Sequence, residues 1–172
     1  MNISQTKEQI KALSALQNNC EMESIDLQLC NATRPKTGIA FKEPFSAKPI
    51  VSNVSSSLSG RRFVVELAFE YSAWDSSETP ERLFQVNCVF EVAYRLNESY
   101  TPTEEEKSSF SRGTALFNCW PYAREFFRDI TTRLGHAAPT LPLLRITPKK
   151  PDTESTIETK GLASTLDLTG AT

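Results

Sequence analysis

From Thr114 to Leu134 the apolar residues recur at steps of three and four: Leu116, Trp120, Ala123, Phe127, Ile130 and Leu134. That spacing lays one stripe down a helix. Tyr122 and Phe126 widen the stripe on one side, and Arg124, Glu125, Arg128, Asp129, Thr131 and Thr132 fill the opposite arc. Gly135 follows, where a left-handed cap ends a helix. Pro121 predicts either a kinked first turn or a regular helix that starts near it. Phe126 and Phe127 project about 100° apart and must meet two different neighbours. Each large side chain contributes about 1.5–3 kcal/mol if fully buried, so the stripe meets a sheet, a second subunit or both.

The rest of the chain alternates differently. Ser4 to Asn19 reads as a short amphipathic helix carrying Ile10, Leu13 and Leu16. Glu23 to Thr33 alternates with period two, which predicts a half-buried strand with Ile25, Leu27 and Leu29 on one face and Asp26, Gln28 and Cys30 on the other. Arg34 to Pro49 is a long proline-broken connection that carries Ile39, Phe41 and Phe45, a pattern typical of a functional flap. Ile50 to Ser59 is Ser-rich and reads as an edge strand.

Arg61 to Ser72 and Leu83 to Leu96 are the strongest strands. The first carries Phe63, Val65, Leu67, Phe69 and Tyr71 on one face; the second carries Phe84, Val86, Cys88, Phe90, Val92 and Tyr94. These aromatic faces exceed what one helix covers. Thr103 followed by Glu106 has capping-box spacing and starts a short helix with acidic residues in its first turn. Gly113 is read as the break between this helix and the long one. Ala137 to Pro148 is an extended arm, and Lys149 to Thr172 a flexible polar tail.

Strands clustered ahead of helices imply an α+β fold: a four-stranded antiparallel sheet, a long helix in the C-terminal half and an extra N-terminal helix. The domain division is an N-terminal helix over 1–22, one domain over 23–148 and the tail over 149–172.

Composition narrows the function. The chain has 172 residues and a net charge of -2 with no basic stripe, which argues against nucleic acid as a partner. The polar N-terminus has no apolar core of an export signal, and no apolar run reaches membrane-spanning length, so a cytoplasmic protein without a membrane partner is expected. Cys20, Cys30, Cys88 and Cys119 form no CxxC pair and read as free thiols. With His136 as the only histidine, read as a surface or cap residue, no metal site is expected. No glycine-rich phosphate loop is present, so no cofactor is expected either.

The run Trp120-Pro121-Tyr122-Ala123-Arg124-Glu125, followed by Leu134-Gly135 and Thr140-Leu141-Pro142-Leu143, resembles the signature of the SecB family of chaperones. Ala40-Phe41-Lys42-Glu43-Pro44 is similar to the family's Ser-Phe-Glu-Xaa-Pro stretch, and the pattern of four strands also fits. The resemblance covers roughly Ser24 to Ile146.

It implies a non-enzymatic holdase that binds non-native polypeptides in apolar grooves without ATP, built as a homotetramer from a dimer of dimers. By position, Phe84, Val86, Cys88 and Phe90 line a groove or belong to the core, and Ile39, Phe41 and Phe45 join the groove from the loop. Trp120, Tyr122, Arg124, Glu125, Phe126 and Phe127 fall at subunit interfaces. The chain departs from the export members: a polar tail replaces their C-terminal helix, and nothing resembles their docking segment for SecA. The N-terminal helix is similar to the layout of members encoded with toxin–antitoxin pairs, which implies an antitoxin as client. Preprotein export with SecA as partner is the alternative reading, and a non-catalytic oligomeric scaffold is the alternative of another class. As an enzyme, the chain offers Cys119 and His136 as a nucleophile and base, about 25 Å apart along a helix and with no oxyanion motif, or the acidic run Glu104 to Glu106 as an acid and base, for which the helix cap is a sufficient explanation.

Overall fold

The computed structural model describes residues 2–34, 45–75 and 78–148. The loop residues Ile39 and Phe41 and the polar tail lie outside the described residues. The elements are β1 (Asn2–Gln5), α1 (Lys7–Gln17), β2 (Cys20–Thr33), β3 (Phe45–Ser59), β4 (Arg62–Asp75), β5 (Arg82–Leu96), α2 (Glu104–Phe110), a π-helical turn (Ser111–Ala115), α3 (Leu116–Arg133) and β6 (Arg145–Pro148).

The four long strands form one antiparallel sheet in the order β2-β5-β4-β3. The order explains the sequences. β4 and β5 are central and carry the large apolar side chains, whereas β3 is an edge and tolerates Pro49, which cannot donate to a ladder. One sheet face is the core. There α3 lies across β4 and β5, with Trp120 and Phe127 against Phe69 (ring centroids 6.0 and 6.5 Å) and Phe127 also against Tyr71 (5.3 Å). Phe110, at the end of α2, meets Phe63 and Tyr94 at 6.0 and 4.9 Å. The opposite face carries charge pairs, Arg62 to Glu91 at 3.0 Å and Arg95 to Glu23 at 2.5 Å, together with exposed apolar residues such as Ile50, which lies opposite Glu70.

Both short helices start on capping boxes. Thr103 Oγ1 accepts from the Glu106 amide, and the Glu106 carboxylate accepts from the Thr103 amide at 2.7 Å. Thr6 caps α1 in the same way with Gln9 as its partner, so the helix begins at Lys7 and not at Ser4. At the end of α3, Gly135 takes φ +84°; its amide donates to the Thr132 carbonyl and that of His136 to the Thr131 carbonyl. This is the Schellman arrangement that the glycine predicts.

Two sequence expectations are corrected. Gly113 does not break the helix. The π turn carries α2 directly into α3, and the glycine permits a close approach: a Cβ there would sit 2.7 Å from Gln5 Nε2 and 3.2 Å from Leu13 Cδ2. Residues 2–5 are a strand, paired in parallel with β6, and tie the N-terminal segment to the end of the extended arm. His136 is the cap residue that the sequence suggests, its amide closing the end of α3, and its half-buried ring also packs on Phe84 with centroids 4.8 Å apart. The arm itself is extended as read, with Leu141 and Leu144 buried and the Pro142 carbonyl accepting from Trp120 Nε1 at 2.9 Å.

Candidate functional site

The alternation of β2 is interrupted twice, between Met22 and Ser24 and between Leu27 and Leu29. Each interruption adds an unpaired residue, and each extra residue moves the following side chains to the other face. Ile25 and Leu27 lie opposite Val92 and Phe90, on the core face. Past the second bulge Leu29 lies opposite Val89, on the outer face, and Cys30 lies opposite Cys88, on the core face. The sequence expectation that Leu29 shares a face with Leu27 and opposes Cys30 is therefore wrong, because a bulge leaves no mark in the hydrophobic pattern.

α3 does not reach as far as β2. Phe127 turns toward β4, and Phe126 toward β5, where it meets Phe90 at 6.0 Å. Tyr122 and Ile130 stand one turn either side of Phe126 and share its flank. The core-face side chains of the edge strand are left partly wet: Met22 is 49% exposed and Leu27 45%. On the flank of α3 that closes on Phe90, Tyr122 is exposed and Phe126 and Ile130 are partly buried, so apolar side chains stand on both sides of the Leu27–Phe90 pair and make up an apolar shelf at the β2 edge. Asn118 donates to Tyr94 Oη at 3.2 Å near the Met22 end. At the other end Arg34 Nη1 donates to the Leu134 carbonyl at 3.0 Å, placing a cation on the negative end of the α3 dipole. The strand edge adds backbone groups without a strand partner among the described residues, where β2 is bonded only to β5.

The sequence-predicted groove residues fall elsewhere. Phe84, Val86, Cys88 and Phe90 are at most 5% exposed and lie in the core under α3, so they offer no surface to a client. All four are core residues here, because the helix that their aromatic face requires is supplied by the same chain. Phe45 falls within β3, and its side chain lies outside the description. Of the predicted interface residues, Trp120 and Phe127 are buried within the chain, whereas Tyr122, Glu125 and part of Phe126 remain at the surface. Arg124, Glu125 and Arg128 line an opening of about 380 Å³ between α3 and the arm. A larger opening of about 490 Å³, between α1 and the start of α3, is lined by Leu13 and the exposed Phe117. Met22 and Leu27 were not recognisable as a surface from the sequence, since each sits in an ordinary strand pattern.

The chemistry of the buried groups is quiet. Burial pushes the Cys88 and Cys119 thiols up to about 12, with Cys30 adding to the effect on Cys88 and Cys88 to that on Cys119. Burial, and then the nearby Arg34, lower the His136 pKa. Cys119 is thus a core thiol, fully buried, with no access for a substrate. Among the described residues no group of three or more His, Cys, Asp or Glu is placed to hold a metal ion, and no helix is long and apolar enough to cross a membrane.

The chain is similar in structure to the Mycobacterium tuberculosis Rv1957 SecB-like chaperone, solved in complex with a ChAD peptide from the Rv1956 HigA1 antitoxin. The match has a TM-score of 0.70 at 18% identity and covers 80% of this chain and 99% of that one. A protein of unknown function from Streptococcus agalactiae matches over 72% of this chain and 97% of its own, at 11% identity and a TM-score of 0.38. No family model and no curated protein matches the chain. The fold is therefore SecB-like, α+β with a four-stranded antiparallel sheet under helices.

Proposed function

We propose that this protein is an ATP-independent holdase chaperone of the cytoplasm, without catalytic activity, and that its client is an aggregation-prone antitoxin. The observation that carries this reading is the combination of a SecB-like fold with the uncovered apolar shelf along β2. The antitoxin peptide held by the Mycobacterium tuberculosis chaperone supports the choice of client.

The mechanism follows from the surface. A non-native segment lays apolar side chains on Met22, Leu27, Tyr122 and Phe126 while its backbone can pair with the open edge of β2. Burial of this kind is tolerant of sequence, because apolar contact is non-directional and edge pairing uses only main-chain groups. One shelf binds weakly. Assembly into a homotetramer, with α3 contributing to the subunit contacts, presents several shelves to one client and gains affinity through effective concentration.

Light scattering from a slowly refolding client, with stoichiometric chaperone and no nucleotide, tests the proposal. Suppression by the native protein, lost when Leu27 and Tyr122 are both replaced by Asp at unchanged oligomeric mass, supports the shelf. Full suppression by that variant removes the shelf from the mechanism. No suppression by the folded native protein, together with no binding of an antitoxin-derived peptide, leaves the scaffold reading.

A further inference from the structure

The second bulge in β2 has a chemical consequence at the next inward-facing position. Cys30 and Cys88 are direct partners across the β2–β5 ladder and project to the same face. They differ in environment: Cys30 is exposed at the open edge, and Cys88 is buried in the core. Both are free thiols.

Directly opposed residues in an antiparallel pair have Cα atoms about 4.5–5.5 Å apart, within the range of about 4.4–6.8 Å that a disulfide spans. Their Cβ atoms start about 4.5–5.5 Å apart, and a disulfide brings them to about 3.5–4.5 Å. Closing the difference requires the strands to approach by about 1–2 Å at this position. β2 can shift there, since among the described residues no strand pairs with its other edge and the ladder is already interrupted between Leu27 and Leu29.

We propose that Cys30 and Cys88 form a peroxide-driven reversible disulfide, with Cys30 as the attacking thiol and Cys88 as the resolving one. The environments divide the roles. The Cys88 thiol is held protonated and away from solvent, so the first oxidation falls on Cys30. The Cys30 thiolate attacks one oxygen of a hydroperoxide; the O–O bond breaks, and the sulfenic acid forms as hydroxide or alkoxide leaves. The Cys88 sulfur then attacks the Cys30 sulfur. The S–O bond breaks, the S–S bond forms, and the departing hydroxide takes the Cys88 proton as water. Two thiols lose two electrons to one peroxide, and a dithiol reductant reverses the change. The bond fixes the edge strand to β5 at the end of the shelf nearest Arg34. The inference stands on strand register and exposure, and holds whether or not the shelf binds clients.

The test uses the full chain treated with a molar excess of hydrogen peroxide, blocked with an alkylating reagent in denaturant, and digested without reduction. Mass spectrometry is expected to show the Cys30 and Cys88 peptides joined with the loss of two hydrogens. The link should vanish in Cys30→Ser, persist in Cys119→Ser and disappear on reduction. Replacing Cys88 by Ala should instead leave Cys30 oxidised to the sulfinic state. The proposal is overturned if native Cys30 reaches the sulfinic state while Cys88 remains alkylatable. It is equally overturned if the link joins two chains through Cys30, if Cys88 pairs with Cys119, or if neither thiol reacts.

Discussion

Leu27 and Phe90 face each other across the β2–β5 ladder on the same side of the sheet, yet Phe90 is 5% exposed and Leu27 45%. The difference arises from the reach of one helix. α3 stands over β4 and β5, where Phe126 closes on Phe90, and stops short of the edge strand. The same apolar face thus serves as core at one strand and as surface at the next.

That boundary separates two kinds of mutant. Leu27→Asp with Tyr122→Asp should change stability by about 1 kcal/mol or less, as surface substitutions do, and abolish client holding. Phe90→Asp should unfold the chain, because it buries a carboxylate with no partner, at a cost of more than about 4 kcal/mol. Urea denaturation run beside the light-scattering assay distinguishes loss of a site from loss of the fold.

Neighbouring phenylalanines on α3 should differ in the same sense. Phe127 is fully buried between Phe69 and Tyr71, and truncation to Ala should cost about 3–5 kcal/mol. Phe126 is only half-buried, so Phe126→Ala should cost clearly less. Equal midpoints in denaturant would contradict the placement of Phe127.

Gly113 and Gln5 should be energetically coupled. Gly113→Ala places a methyl group 2.7 Å from Gln5 Nε2, and overpacking of this kind costs about 1–3 kcal/mol, against a helix-propensity gain of about 1 kcal/mol. Combining it with Gln5→Ala removes the clash, so the double variant should be more stable than the sum of the two single changes predicts. Strict additivity in this cycle would mean that the two side chains do not meet.

His136 should give a signature in pH. Its pKa is lowered in the folded state by burial first and by Arg34 second. The unfolded chain then binds the proton more readily, so stability falls as pH drops through about 6.5 and levels off below the folded value. His136→Gln should flatten that part of the dependence in thermal melts between pH 7.5 and pH 5.5. An unchanged slope would remove His136 as its source.

Much of the fold can be derived from local pattern. Period two in Phe63–Tyr71 and Phe84–Tyr94 marks two central strands, the serines of β3 mark an edge, and steps of three and four from Leu116 to Leu134 mark α3. Thr103 with Glu106, and Gly135 with its left-handed φ, specify helix ends by contacts within one turn. These features are legible because their causes lie within a few residues.

What the tertiary structure decided has causes far apart in the chain. The bulge at Gln28, which sends Leu29 outward and brings Cys30 opposite Cys88, is fixed by the partner strand and not by the composition of β2. The pairing of residues 2–5 with 145–148 joins two short segments with no pattern of their own. Gly113 reads as a break in sequence and becomes a contact only because Gln5 and Leu13 are brought against it. Local spacing establishes that the aromatic faces of β4 and β5 are apolar. Which residues of that sheet remain uncovered depends on where α3 ends over it, and that is a property of packing alone.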